Sequence, residues 1–393
     1  MRARWITIGG IAVALTIVGP VTAGAATQQL PAPTGVTVTP GVGAITVSWT
    51  EDPESGVTYT VSSHPVGLSC RVVAKSSCSI SDRTSTHYSL SVEASETGFT
   101  TSTPSARTTP LNPRMVLVVA GQSNATGLQS YATDPTTGID YMAPPYTNGA
   151  DNRDLLTWTP WQVFQGLGAT PVRLDSPQKA VYGPDDLQTI FGPEVGLARK
   201  LWSDTGRSVT IVKTAYIGSD LAVDWSPTGS GALPDGLFPA MVSKVRTVMA
   251  QDAAGGQFDV LGAFYWYQGE GDAGAGAYAA AYKTNLDKFI SAVRKDLPMS
   301  AAAPIVLAKE DRTAYNSYLL SSGTITAAED AIFATWNNEV RSADNWAAAD
   351  LPHVVEVDTA DLARVFPLFV HLSNVSELTI GNRMALASEK LLP

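Results

Sequence analysis

The sequence predicts a three-layer α/β/α domain built on a five-stranded parallel sheet, carried behind a smaller all-β sandwich. Three observations lead there. From residue 114 onward, continuous apolar runs of strand length alternate with amphipathic runs of helix length, the pattern of parallel strands covered on both faces. Before residue 110 the apolar runs are shorter, alternate in polarity and are broken by Gly, Pro and Ser, which predicts antiparallel strands in a sandwich. Between the two lies TSTPSARTTPLNP, residues 101–113, rich in Thr, Ser and Pro. It predicts the end of the first domain and a short linker over 110–113.

At 393 residues with 44% hydrophobic side chains, the chain has material for more than one packed core. Only 16% of the residues are charged and the formal net charge is -10, so no basic footprint for nucleic acid or anionic lipid is present. Residues 1–25 read as a signal peptide. Arg2 and Arg4 make a charged start, Trp5 to Val18 an apolar core too short for a full span, and Ala23-Gly24-Ala25 a small-x-small cleavage site. Cleavage predicts a secreted protein with no membrane attachment, and takes the net charge to -12. The two cysteines, Cys70 and Cys78, then lie in an oxidising compartment and predict a disulfide around RVVAKSS.

The first domain spans 30–109. GVTVTPG, AITVSWT, TYTVSSHP, RVVA, CSIS and YSLSVEAS are its strands, with Trp49 and Tyr88 as core anchors and His64 and His87 at the surface or in turns. PAPTGVTVTPGVGAITVSWT and HYSLSVEA resemble a fibronectin type III domain. That resemblance implies a spacer, or a contact with a cell surface or polysaccharide.

The second domain spans 114–393. MVLVVA, VTIVKTA, VLGAFYWYQ, PIVLAKE and HVVEVD are the expected strands. PEVGLARKLWSDTG, LFPAMVSKVRTVMAQD, AYAAAYKTNLDKFISAVRKDL, AAEDAIFATWNNEVRSA and SELTIGNRMALASEKLL are the expected helices. Active sites of such sheets lie at the carboxyl ends of the strands. Ser123, in VLVVAGQSNATG, falls just past the first strand where a helix begins, a place for a nucleophile beside free backbone N–H groups and also a common place for a helix cap. A base for it must be one of two histidines. His353 opens its strand and so lies at the amino edge, whereas His371 follows the last strand and lies on the side of Ser123. Two more loops end at that rim. AYIGSDLAVDW brings Gly218, and YWYQGEGDA brings Gln268, Glu270 and Asp272. Trp158, Trp161, Tyr216, Trp225 and Trp266 are candidates for a sugar-stacking platform, and the insert from about 129 to 190 for a wall of the cleft. GQSNA is also near the G-x-S-x-G elbow of α/β-hydrolases, with Ala125 in place of the second glycine. HExxH, paired histidines and a phosphate-loop lysine are absent, so neither metal nor nucleotide cofactor is expected.

GQSNATG, FGPEVGLARKL, IVKTAYIGSDLAVDW, FYWYQGEGDA and VHLSNVSELTIGNRMA together resemble the carbohydrate esterases that include sialate O-acetylesterases and some acetylxylan esterases, within the SGNH-hydrolase-like superfamily. The resemblance implies removal of O-acetyl groups from an acetylated carbohydrate. It implies Ser123 as nucleophile and His371 as base. It also implies an oxyanion hole made by the Ser123 and Gly218 N–H groups and the Gln268 side chain. One position departs from the family. An aspartate three residues before the histidine is replaced by Leu368, which cannot orient an imidazole. A backbone carbonyl, or another acid such as Glu270, Asp358 or Asp361, then has that task, or else the domain is a degenerate esterase that binds glycan without hydrolysing it.

Overall fold

The computed structural model describes residues 28–50, 56–81, 85–150, 153, 155–158, 172–173, 178–181, 187–229, 236–365 and 369–392. The leader, Trp161 and Leu368 lie outside them.

The first domain has two three-stranded sheets. β1 (Thr34–Gly41), β2 (Ala44–Thr50) and β5 (Ser77–Ile80) form one; β4 (Ser69–Val73), β3 (Thr58–His64) and β6 (Ser89–Ser95) form the other. Strict alternation in β2 and β3 sends Ile45, Val47, Trp49, Tyr59 and Val61 between the sheets, with Trp49 and Tyr59 in ring contact at 5.2 Å. Cys70 and Cys78 are bonded, and because one sits on β4 and the other on β5 they tie the two sheets together.

The Thr/Ser/Pro-rich segment is not a free tether. Its backbone donates from Ser102, Ser105 and Thr108 to Ala94, Val92 and Leu90 on β6. Its hydroxyls accept in return from the Ala94, Val92 and Leu90 N–H groups. Proline cannot keep a full ladder, and here Ser and Thr side chains supply the bonds the backbone does not. Leu111 exchanges both backbone bonds with Tyr88 and joins the sandwich core, so the expected linker is anchored as well.

In the second domain, chain order runs β7 (Arg114–Gly121), α1 (Ser123–Thr126), β8 (Leu155–Trp158), β9 (Val172–Arg173), β10 (Gln178–Val181), β11 (Leu187–Ile190), α2 (Pro193–Thr205) and β12 (Val209–Ala215). It continues with α3 (Leu237–Ala254), β13 (Asp259–Tyr267), α4 (Gly276–Asp296), β14 (Ile305–Ala308), α5 (Thr313–Ser321), α6 (Ala327–Asp350), β15 (Val354–Val357) and α7 (Asn374–Ser388). The five expected strands are all present and mutually parallel, in the order β12-β7-β13-β14-β15. The insert adds β8, parallel to β12, and β9, antiparallel to β8, while β10 and β11 form a separate hairpin.

The apolar strands alternate faces. Val116, Val118, Ala120, Phe264 and Trp266 pack into one layer with α3, α4 and α6; Met115, Leu117, Val119, Tyr265 and Tyr267 pack into the other with α2 and α7. Trp225 and Trp266 are each 1% exposed, in edge contact at 5.1 Å, so they are core and not a sugar platform. Strand order reverses at β7, which sends one connection to β12 and the next to β13. A crevice therefore opens at the carboxyl ends of β7 and β13, the switch point where such sheets bind ligands.

One charged pair lies inside this core. Lys213 on β12 reaches Glu194 at the start of α2 at 2.7 Å, both side chains at most 1% exposed, and also donates to the Thr126 carbonyl of α1. Lys213→Met leaves the Glu194 carboxylate buried without its cation. It should cost about 3–5 kcal/mol in urea unfolding, whereas the double variant Lys213→Met/Glu194→Gln should cost far less. A single variant within about 1 kcal/mol of wild type would contradict this account of the pair.

Candidate active site

β7 ends at Gly121 because no other residue fits. Its φ is +144°, and a Cβ there would lie 2.0 Å from the Tyr267 carbonyl oxygen. That close approach locks three strand ends together: the Gln122 N–H donates to the Tyr267 carbonyl at 3.0 Å and the Tyr216 N–H to the Gly121 carbonyl at 2.9 Å. The side-chain oxygen of Gln122 accepts from the Gln268 amide and from the Gly271 N–H, at 3.2 and 3.1 Å.

Ser123 opens α1, which is a single turn closed by Gly127 in the left-handed region. Here the structure departs from the sequence expectation of a full helix. One turn carries little macrodipole, so any oxyanion must be held by individual N–H groups. Those of Ser123 and Gly218 are left without an acceptor among the described residues. Gly218 is exposed with φ +69°, and its α-carbon has open space around it.

Gln268 does not present a third donor. It is fully buried, and its amide nitrogen donates to Asp272 Oδ2 at 2.7 Å, with Gln122 Oε1 and the Ser219 carbonyl each at 3.2 Å. Its oxygen accepts from the Tyr282 hydroxyl. An amide with both hydrogens committed is a strut. Asp272 completes it by accepting from the Leu221 and Ala222 N–H groups, at 2.8 and 3.1 Å, which fixes the loop after Gly218. Burial pushes the Asp272 carboxyl up to about 7.

His371 arrives on the same rim, as its position after β15 predicts. Its loop is held by Asn124, the residue next to Ser123. The Asn124 amide donates to the Val370 carbonyl at 3.2 Å and accepts from the Leu372 N–H at 3.0 Å, so it grips the backbone on both sides of the histidine. It also donates to Glu270 Oε1 at 2.5 Å. Further bonds run from Ser130 Oγ to the Leu372 carbonyl and from the Tyr131 N–H to Asn374. On its other side the loop pairs with residues 363–365, where Arg364 donates to the Val370 carbonyl at 2.8 Å.

None of the three acids considered touches His371. Glu270 is bonded to Asn124. Asp358 accepts from Arg341 at 3.0 Å, and Asp361 is held by both terminal nitrogens of Arg383. The ring nitrogen Nδ1 meets Gln129 Oε1 instead, at 2.7 Å. Gln129, Asn124 and Gln122 were not singled out by sequence reasoning. For the two nearest Ser123 the signal was present, since two amides stand in an otherwise apolar, buried stretch. His353 lies at the amino edge, before β15, as expected. Tyr216 is half-buried at the rim. A pocket of about 180 Å³ opens beside Gln129, bordered by Tyr131, Tyr141, Asp134, Val365 and Asn374.

A family model described as "Carbohydrate esterase, sialic acid-specific acetylesterase" matches residues 113–390, most of the chain. The chain belongs to this family. It is a carbohydrate esterase, as its motifs predicted. No curated protein matches it. Among solved structures it is similar to a protein of Arabidopsis thaliana, with 20% identity over 71% of this chain and 98% of that one and a TM-score of 0.48. It is also similar to a carbohydrate acetylesterase of Xanthomonas citri, with 16% identity over 91% of this chain and 75% of that one and a TM-score of 0.47. The FN5 domain of Drosophila Lar matches 21% of this chain and 96% of its own at 21% identity, with a TM-score of 0.18. Among the described residues of this esterase no helix is long and apolar enough to cross a membrane.

Burial, and secondarily the Arg364 guanidinium, hold the His371 imidazole down at about 4 from an ordinary 6.5. The unfolded chain therefore takes up this proton more readily than the folded one. The stability linked to His371 is present above pH 6.5 and is lost as pH falls towards about 4. Proton NMR of the ring C–H should give a titration midpoint near 4, and a midpoint near 6.5 would contradict the buried site.

Proposed function

We propose that this carbohydrate esterase is exported and removes O-acetyl groups through an acetyl-enzyme on Ser123. The observation that carries the proposal is the grip of Asn124 on both flanks of His371, which sets the serine turn and the histidine loop on one rim. In the proposed reaction His371 takes the Ser123 proton as Oγ attacks the ester carbonyl. The tetrahedral oxyanion is received by the Ser123 and Gly218 N–H groups. Collapse expels the sugar hydroxyl, which leaves with the proton held by His371. Water, deprotonated by the same imidazole, then releases acetate and regenerates the serine.

Export rests on the leader sequence and on a disulfide that an oxidising compartment maintains. The proposed division is a leader over 1–25, a fibronectin type III-like sandwich over 30–109, a joint over 110–113 and the esterase over 114–393. The sandwich meets the esterase near Phe258 and Arg207, next to a cleft of about 580 Å³ at the amino ends of the strands. That placement leaves the catalytic rim open, and suits a module that holds the enzyme against a polysaccharide or cell surface.

Ser123→Ala should lower hydrolysis of an acetyl ester by at least about 10³-fold while the protein stays folded and still binds acetylated glycan. Equal hydrolysis by wild type and variant would sink the mechanism. Glycan binding with no hydrolysis by either would instead identify an adhesive module.

A further inference from the structure

We infer that Gln129 positions His371, its neutral amide oxygen standing where a hydrolytic triad ordinarily places a carboxylate. The inference rests on the reading of His371 as base and names the third member of that site. Two independent observations carry it. The first is the contact itself, Gln129 Oε1 to His371 Nδ1 at 2.7 Å, across 242 positions of sequence. An amide oxygen only accepts, so the ring proton must sit on Nδ1, and the lone pair of Nε2 is left for the serine hydroxyl.

The second is backbone strain. Gln129 has φ +70°, a left-handed conformation in which residues other than glycine are uncommon and which glutamine has no special tendency to adopt. Such a conformation persists where surrounding contacts over-determine it. They do so here. The Leu128 N–H is bound to the Ser123 carbonyl, the Ser130 N–H to the Gly127 carbonyl, and Ser130 Oγ to the Leu372 carbonyl. The chain is bent out of its ordinary range at the residue whose side chain, alone among the described residues, hydrogen-bonds the His371 ring.

A neutral orienter has a different consequence from a charged one. It fixes the tautomer but supplies no negative charge to hold the imidazolium. The charged and titratable groups on the elements around the loop do not make up the deficit. Arg364, in the segment that bridges to it, opposes protonation. Glu270, at the end of β13, and Glu377, on α7, are buried with carboxyls pushed up toward their neutral forms. Asp134, Tyr131 and Tyr141 lie across the pocket beyond Gln129. The base thus stays free of its proton in acid, at some expense in rate.

The test is a pair of substitutions in the full chain, each checked for an unchanged unfolding transition. Gln129→Leu should lower kcat by about 10²-fold or more with KM nearly unchanged. Gln129→Glu, a carboxylate of the same reach, should restore kcat to within a few-fold. It should also move the acid limb of the pH profile and the NMR titration of His371 upward by a unit or more. Wild-type kcat in Gln129→Leu, a rise in KM alone, or an unmoved His371 titration in Gln129→Glu would each overturn the inference. The titration needs no turnover, so it decides the role of Gln129 even if His371→Asn proved fully active and the reading of the base failed.

Discussion

A single amide governs this site. Asn124 is fully buried, and every polar atom of its side chain is bonded: the oxygen accepts from the Leu372 N–H, and the amide nitrogen donates to the Val370 carbonyl and to Glu270. Each unpaired buried group costs roughly 1–3 kcal/mol. A shift of the histidine loop away from the serine turn would orphan several at once. The loop cannot drift without breaking that set. The Ser123 turn and the His371 loop therefore share one local framework, although the two residues stand 248 positions apart.

That framework stands on the sheet beneath it. Strand order reverses at β7, and the crevice this creates is where Gln122, Gln268 and Asp272 interlock the ends of β7 and β13 with the loop after β12. Below them the strand faces are closed and mainly apolar, with β12 the exception: it buries Thr210, Thr214 and Lys213, the last paired with Glu194. At the strand ends polar groups gather, and there they bond chiefly to each other. Among the described residues, the N–H groups of Ser123 and Gly218 have no acceptor there, and these, with the Ser123 hydroxyl and the His371 imidazole, are the groups the proposed reaction uses. The sandwich domain meets the opposite, amino edge, so the two ends of the esterase are free to do different work.

Periodicity made the architecture legible. Five continuous apolar runs became the five parallel strands, and five amphipathic runs became α2, α3, α4, α6 and α7. α5 went unread because its apolar residues follow no stripe and only Asn316 among its side chains is buried. The Thr/Ser/Pro stretch read as a tether because its prolines advertise a break, while the hydroxyls that stitch it to β6 leave no periodic trace. The rule that parallel sheets work at their carboxyl edge pointed to Ser123, His371 and Gly218, and all three lie past strands at that edge. Gln268 sat at that edge too, but residue type cannot tell a donor aimed at a ligand from one spent on a buried carboxylate. Asp358 and Asp361 were drawn in by their closeness in sequence to His371, yet surface arginines hold them. Gln129 carried no signal at all. Its role arises only when a strained backbone in one loop meets a histidine brought in by another.

The central claim is that the hydroxyl at 123 and the imidazole at 371 act as one unit. A serine-directed fluorophosphonate, followed by mass spectrometry of the intact chain and its peptides, tests this without any knowledge of the natural sugar. The account predicts one phosphonyl group per molecule, on Ser123, with a labelling rate that falls at least about a hundredfold in His371→Asn. Labelling at another residue, or an equal rate in the two proteins, would contradict it.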